Sequence, residues 1–243
     1  MLQVPDQSTQ TCVIRVLETY KRNPYNPTQS ENARLRNPGT ARANLAASLE
    51  APQGTQTDSW AAKHSHQTVL QQHCDYFDPD HDGVVWPIDT FRGLRNLGFN
   101  LLHCLVAVFI INGFLSYPTV PGLLPDLFFR VYVQNIHKSK HGSDTGTYDN
   151  EGRFIPQKFE DVFSKYADGR VGLTKWGIVR LLHGQRGLLD PAGWAGAIME
   201  WLFVYLLIWP EDGIIKKEDV RRVYDGSIFA ELSLKRSGKA YAT

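Results

Sequence analysis

Cysteine is scarce in this chain of 243 residues: Cys12, Cys74 and Cys104 stand far apart, are odd in number and form no C-x-x-C pair. That excludes a disulfide framework and a cysteine zinc site. Net charge is nearly absent as well, at +1, so nothing drives the whole chain toward nucleic acid or an acidic surface, and no nucleic-acid partner is expected. The opening MLQVPDQSTQTCVIRV lacks a basic stretch followed by an apolar one, so no secretory signal is expected and a cytosolic face is the default. No H-E-x-x-H, G-x-S-x-G, phosphate-binding loop or G-x-G-x-x-G occurs, which removes the commonest zinc-hydrolase, serine-hydrolase, kinase and dehydrogenase routes.

Apolar periodicity is missing from residues 1–60, which hold five of the thirteen prolines among many Asn, Gln, Ser and Thr. Such a stretch buries little surface and is expected to be a poorly ordered arm, with a short helix only at Val13 to Tyr20. Residues 61–243 then form the folded domain. In HSHQTVLQQHCDYF, Val69, Leu70, His73 and Phe77 recur at helical spacing. A loop, DPDHDGVVWPID, and a second periodic run, TFRGLRNLGF, complete a helix–loop–helix over 66–99.

That loop carries the strongest local chemistry. Calcium takes six to eight hard oxygens, and an EF-hand offers them from loop positions one, three, five, seven, nine and twelve around a glycine at six. Asp78, Asp80 and Asp82 fill the first three, Gly83 the sixth, and Val84 offers its carbonyl at seven. Trp86 at nine leaves that place to water, and Val85 at eight is the apolar residue expected to pair with a partner loop. Position twelve is Asp89 rather than the usual bidentate Glu, so the loop must tighten for both oxygens to reach. An acidic turn without metal is the rival. Asp212-Gly213-Ile214-Ile215 and Asp219 echo Asp82-Gly83-Val84-Val85 and Asp89 at the same offsets. This is either a degenerate partner loop or coincidence, since Ile208 and Pro210 offer no side-chain oxygen upstream.

From Asn100, NLLHCLVAVFIINGFL has no formal charge, but it is shorter than the roughly 20 apolar residues of a spanning helix. Pro118, Pro121 and Pro125 punctuate the chain just after it. An apolar run, a proline bend and a second apolar run over 100–129 suit a hairpin that dips into lipid; a core helix with a loop is the alternative. The region 130–243 reads as a polar loop and then helices. In it GWAGAIMEWLFVYLLIW (193–209) is read as a core helix ahead of a second membrane contact.

Two histidines stand out. His73 lies on the apolar face of the helix entering the calcium loop, where a histidine is more often a hydrogen-bonded core residue than a ligand. His141 lies in a basic loop, with His137 four residues before it as its local competitor.

The segments LQQHCDYFDPDHDGVVWP, GLRNLGFN, INGFLSYPT, IHKSKHGSDTGTYDNEGRF and YDGSIF, in that order over roughly 67–232, resemble the caleosins, the plant and fungal peroxygenases. The resemblance implies a mainly α protein with one EF-hand, a short membrane-associated hairpin carrying a proline knot, and a helical C-terminal region. It also implies calcium and haem as cofactors, with His73 and His141 as the pair needed for haem and activity. Oxygen would pass from fatty-acid hydroperoxides to unsaturated lipids or other acceptors at lipid-droplet or endoplasmic-reticulum surfaces, with an oligomer allowed. A calcium-regulated structural docking protein and a peroxygenase tailoring a specialised metabolite are the alternatives. Asp126, Leu127 and Arg130 stand in a block where the family carries further prolines, which weakens the knot.

Overall fold

A computed structural model describes residues 35–238, and they are mainly helical. In chain order come α1 (Trp60–Lys63), α2 (Val69–Asp75), β1 (Val84–Val85), α3 (Pro87–Asn96), α4 (Leu101–Thr119) and β2 (Val131–Tyr132). A 3-10 segment, Val133–Ser139, leads through a long loop to α5 (Pro156–Tyr166), β3 (Gly172–Thr174), α6 (Lys175–Gln185) and α7 (Pro191–Ile208). The chain closes with β4 (Ile214–Lys216), α8 (Lys217–Tyr224) and α9 (Ser227–Arg236).

Local chemistry explains the boundaries around the loops. The Thr68 hydroxyl accepts from the Gln71 amide while the Gln71 side chain accepts from the Thr68 amide, a reciprocal cap that starts α2. Pro87 occupies the first turn of α3, where a missing N–H costs nothing. Gly83, Gly169 and Gly213 turn their loops at positive φ, which a side chain would strain.

Two antiparallel strand pairs join these units. β1 pairs with β2 (Val84 with Tyr132, Val85 with Val131), and β3 pairs with β4 (Leu173 with Ile215). The expected partnership is therefore corrected. Val85 of the acidic loop pairs with the strand leaving the apolar hairpin, and the echo loop at 212–219 pairs with the loop between α5 and α6. Each of α5–β3–α6 and α7–β4–α8 is a helix–loop–helix, and the two pair with each other.

The core has two main clusters. One gathers Phe154, Phe159, Leu173, Leu181, Trp201 and Ile215; the other gathers Leu97, Phe99, Cys104, Leu207, Ile228 and Phe229. Fully buried side chains of this size each contribute about 1.5–3 kcal/mol. α7 serves both clusters through Trp201 and Leu207.

The arm expected over 1–60 is also corrected. Val13–Tyr20 lies outside the described residues, but residues 35–60 pack as part of the domain. Leu35, Ala46 and Ala47 are buried, the Ala46 carbonyl accepts from the Arg221 guanidinium at 3.1 Å, and Thr55 Oγ1 donates to Asp225 at 2.6 Å. Few apolar side chains are needed because buried Arg221 and Asp225, themselves an ion pair at 3.2 Å, supply polar partners for the segment's backbone and hydroxyls.

The apolar run forms a single helix of 19 residues, longer than expected, because it continues through Pro118 in its last turn. The chain returns by a loop with Leu123, Leu124, Leu127, Phe128 and Phe129 exposed. Asp126 clasps that loop. Its carboxylate accepts from Arg130 (Nη2, 2.7 Å; Nε, 3.0 Å), the Tyr132 hydroxyl (3.0 Å) and the Phe128 amide (2.9 Å). The Arg130 guanidinium stands 5.0 Å over the Trp86 ring. Asp126 and Arg130 thus close the bend by an ion pair where further prolines were expected to stiffen it.

Candidate functional site

Three of the five expected calcium ligands come together. The carboxylate oxygens of Asp78, Asp80 and Asp82 lie within 4.8 Å of one another. Asp78 Oδ2 accepts from the Gly83 amide at 2.9 Å, while buried Oδ1 has no partner. Burial, with Asp80 and Asp82 adding to it, pushes the Asp78 carboxyl up, which is the electrostatic situation a divalent cation relieves. Asp89 is not in that cluster: its Oδ2 accepts from the Trp86 amide at 3.1 Å and caps α3. Val84 follows in β1, its amide donating to Asp82 at 2.8 Å. The three grouped carboxylates with one orphaned buried oxygen fit a calcium ion.

The second site is built on α2, the loop 140–154 and α7. His73 sits mid-α2, its Nδ1–H donating to the Val223 carbonyl at 2.7 Å and its ring edge-on to Phe229 at 5.2 Å. Burial lowers its pKa, against the opposing pull of that hydrogen bond. Because a carbonyl only accepts, Nδ1 carries the proton, and Nε2 is left as the bare nitrogen. The 3-10 segment ends at Ser139, so His137 and His141 do not share a helical face.

His141 is presented by a loop whose motif residues bond to one another. The Lys140 ammonium donates to the Tyr148 carbonyl, and Asp144 accepts from the Gly146 amide at 2.7 Å. Buried Ser143 donates to Asp190 at 2.7 Å, and Asp190 caps α7 through the Gly193 amide at 3.0 Å. Asp149 ties Glu151 and Arg153 (2.9 Å to each amide) and so turns the chain back. This web accounts for why KHGSD-x-x-TYD-x-EGRF is so particular a string.

The loop sets His141 against two α7 residues that the sequence pattern did not single out. A Cβ on Gly196 would stand 3.3 Å from the His141 ring. Glu200 accepts from His141 Nε2 at 3.3 Å, and this hydrogen bond raises the histidine's pKa. His141 Nδ1 is buried with no partner among the described residues. Glu200 is 62% exposed and stands roughly 200° round the helix from outward-facing Ile198, on the side that meets the His141 loop. A lone carboxylate in an otherwise uncharged 18-residue helix is the signal that could have found it; in the sequence it stands only as an exception to the helix's apolar character.

The two histidines belong to one neighbourhood. Glu200 acts electrostatically on His73 as well as on His141, and on Tyr148 and Tyr224 between them. Tyr224 adjoins the residue that holds His73, and its hydroxyl pairs with Thr145 at 2.8 Å in the His141 loop. Burial pushes the Tyr224 phenol up to about 12 and the Cys74 thiol, next to His73, also to about 12, so both stay neutral. Two imidazoles, one with a bare Nε2 and one with an orphaned Nδ1, among phenols that stay neutral, are the kind of nitrogen donors an iron porphyrin takes.

The architecture is mainly α, with three carboxylates grouped in an acidic helix–loop–helix, a long apolar helix and a histidine braced by a carboxylate. The family model for caleosin related protein matches residues 65–233. A peroxygenase of Lilium longiflorum is 40% identical over 206 residues, 84% of each chain. A probable peroxygenase 4 of Arabidopsis thaliana is 41% identical over 70% of this chain and 88% of its own. A probable inactive peroxygenase-like protein of Arabidopsis thaliana is 34% identical over 61% of this chain and 72% of its own. No solved structure matches. The chain belongs to the caleosin family, and its enzyme class is peroxygenase. The family is lipid-associated and binds calcium and haem in general.

Proposed function

We propose that this chain is a calcium-binding, haem-dependent peroxygenase acting on fatty-acid hydroperoxides at lipid-droplet or endoplasmic-reticulum surfaces. One oxygen of the hydroperoxide goes to an unsaturated lipid or another oxidisable acceptor, and the hydroperoxide leaves as its alcohol. The observation that carries the reading is His141 held against Gly196 and Glu200, with His73 fixed nearby through its Nδ1–H.

Haem iron would supply the redox chemistry that breaks the hydroperoxide O–O bond. Both imidazoles cannot hold the iron at once, because that would close the position the hydroperoxide needs. Their surroundings support a division of roles. A metal-ligating histidine is oriented by donating its other N–H to a fixed acceptor, as His73 does to Val223, so His73 Nε2 is the nitrogen that would hold the iron. His141 faces the substrate side, and its Nε2 with the Glu200 carboxylate holds a proton for the departing alcohol oxygen. Calcium at Asp78, Asp80 and Asp82, with the Val84 carbonyl and Asp89 completing the loop, would fix the end of α2 and hence the height of His73.

The test is the absorption spectrum of the purified, haem-supplied protein in detergent, with cumene hydroperoxide and thioanisole as oxygen donor and acceptor. A Soret band and sulfoxide are expected from the wild type. His73→Ala should lose the Soret band, and His141→Ala should keep it while turnover falls by about 10²-fold or more. The inactive-named relative supports a second reading, a calcium-regulated docking protein on lipid, and an absent Soret band would favour it. Full turnover in either histidine variant would overturn the assignment.

A further inference from the structure

The hairpin does not account for all the outward-facing apolar surface. α7 has 18 residues with Glu200 as its one formal charge, and only 22% of it is buried, the same share as in α4. A water-soluble amphipathic helix turns apolar side chains inward and covers its outer face with polar ones, which α7 does not do. Here Glu200 pairs with His141, while Ile198 and Leu202, each roughly 200° round the helix from it, stand exposed. The sequence favoured a core helix for this stretch. Trp201 and Leu207 do serve the core, but the outer half of the helix is uncovered.

Two observations say what covers it. First, α7 packs against the start of α4: Phe203 meets Phe99 at 5.3 Å and His103 at 6.5 Å, and Leu207 shares a buried cluster with Cys104 and Ala107. α7 therefore neighbours the start of α4, which bears exposed apolar side chains in a lipid-associated family. Second, the far end of α7 is rimmed by aromatics and a cation. Trp176 is 68% and Trp209 65% exposed, Tyr205 lies edge-on to Trp209 at 6.3 Å, and the Lys175 ammonium stands 5.2 Å over the Tyr205 ring. Tryptophan and tyrosine beside lysine at the end of an apolar helix are the residues that settle at a membrane–water boundary.

We propose that α7 is a second lipid-contacting helix, lying beside α4 in the same lipid layer with Trp176, Tyr205 and Trp209 at headgroup level. The helix then bears lipid on one side and the Glu200–His141 pair on the other.

The test uses the full chain and phosphatidylcholine vesicles, without haem, so that its failure leaves the peroxygenase reading untouched. Ile198→Asp with Leu202→Asp should lower vesicle partitioning tenfold or more. Trp176→Phe with Trp209→Phe should remove a third or more of the tryptophan quenching by lipids brominated near the headgroup. Unchanged partitioning in a folded aspartate variant would overturn the proposal. So would a lipid-free dimer that the aspartates convert to monomer while vesicle binding persists, since the face would then belong to a second copy. If circular dichroism shows that the aspartate variant does not fold, the conservative tryptophan variant decides, and unchanged quenching overturns the proposal.

Discussion

The loop at 78–89 and the loop at 212–219 have the same local construction but different partners and chemistry. Each turns on a glycine at positive φ, +81° at Gly83 and +71° at Gly213. In each, the preceding aspartate accepts from the amide two residues on, Asp82 from Val84 at 2.8 Å and Asp212 from Ile214 at 2.9 Å. Each then runs through a short strand into a helix. The echo in the sequence is thus an echo in the backbone. Upstream, however, the first loop has Asp78 and Asp80 where the second has Ile208 and Pro210. The second loop pairs with another carboxylate-poor helix–loop–helix and buries Leu173 and Ile215 completely, whereas the first pairs with a strand tied to the hairpin. Paired loops hold the C-terminal half together as packing alone. The acidic loop groups three carboxylates and gives its strand edge to the strand that follows the apolar helix.

The comparison breaks most severely at β3. A Cβ on Gly172 would meet the Ile215 carbonyl oxygen at 2.0 Å, and that neighbour is backbone, which cannot swing away. Gly172→Val is expected to cost about 3 kcal/mol or more, seen as a lowered urea midpoint. A Cβ on Gly83 meets nothing within 4 Å and faces only its φ of +81°, so Gly83→Ala should cost about 1 kcal/mol. Equal losses at the two positions would mean that the C-terminal pair is not a packing unit.

Removing calcium sharpens the contrast chemically. A ligand at 100 times its Kd stabilises a fold by about 2.7 kcal/mol. Chelation should therefore lower the wild-type melting temperature, and Asp78→Asn should abolish the response. Asp212→Ala should leave the calcium isotherm unchanged, because Asp212 only ties its turn. A weakened isotherm in that variant would place metal at the wrong loop.

How much of this was legible in the sequence depends on the range of the interactions involved. The grouping of Asp78, Asp80 and Asp82 before a turning glycine was legible because it is set by spacing within a few residues, whereas Asp89, expected with them, caps α3 instead. The His141 loop was legible because its bonds run between near neighbours, from Asp144 to Gly146 and from Asp149 to Arg153. The partner of Val85 was not, since nothing local distinguishes Val131 from Ile215 as a strand mate. Residues 35–60 were misread because their order depends on Arg221 and Asp225, more than 160 positions away. Glu200 is 59 positions from His141 and carries no motif, so only the fold brings it to the imidazole. The histidines themselves entered through family resemblance; periodicity alone favoured a core role for His73.

The smallest expected effect lies in what ties β2 to the hairpin. The Arg130 guanidinium, and behind it the Tyr132 hydroxyl, hold the Asp126 carboxyl well below its ordinary value of 3.8. A carboxylate whose folded pKa is depressed contributes its stability fully above the unfolded value and loses it as pH falls through the folded one. The clasp should therefore be complete at neutral pH and weaken only as pH drops below about 4. Asp126→Asn keeps the shape but loses the charge, so it should cost about 1 kcal/mol at neutral pH and progressively less in acid. The measurement is the difference in melting temperature between wild type and variant, followed from about pH 7 to about pH 3. A difference that does not shrink in acid would show that Asp126 acts by shape and not by its pairing with Arg130. In that case the bend, like the C-terminal loops, would be held by packing, and this distinction between the two halves would disappear.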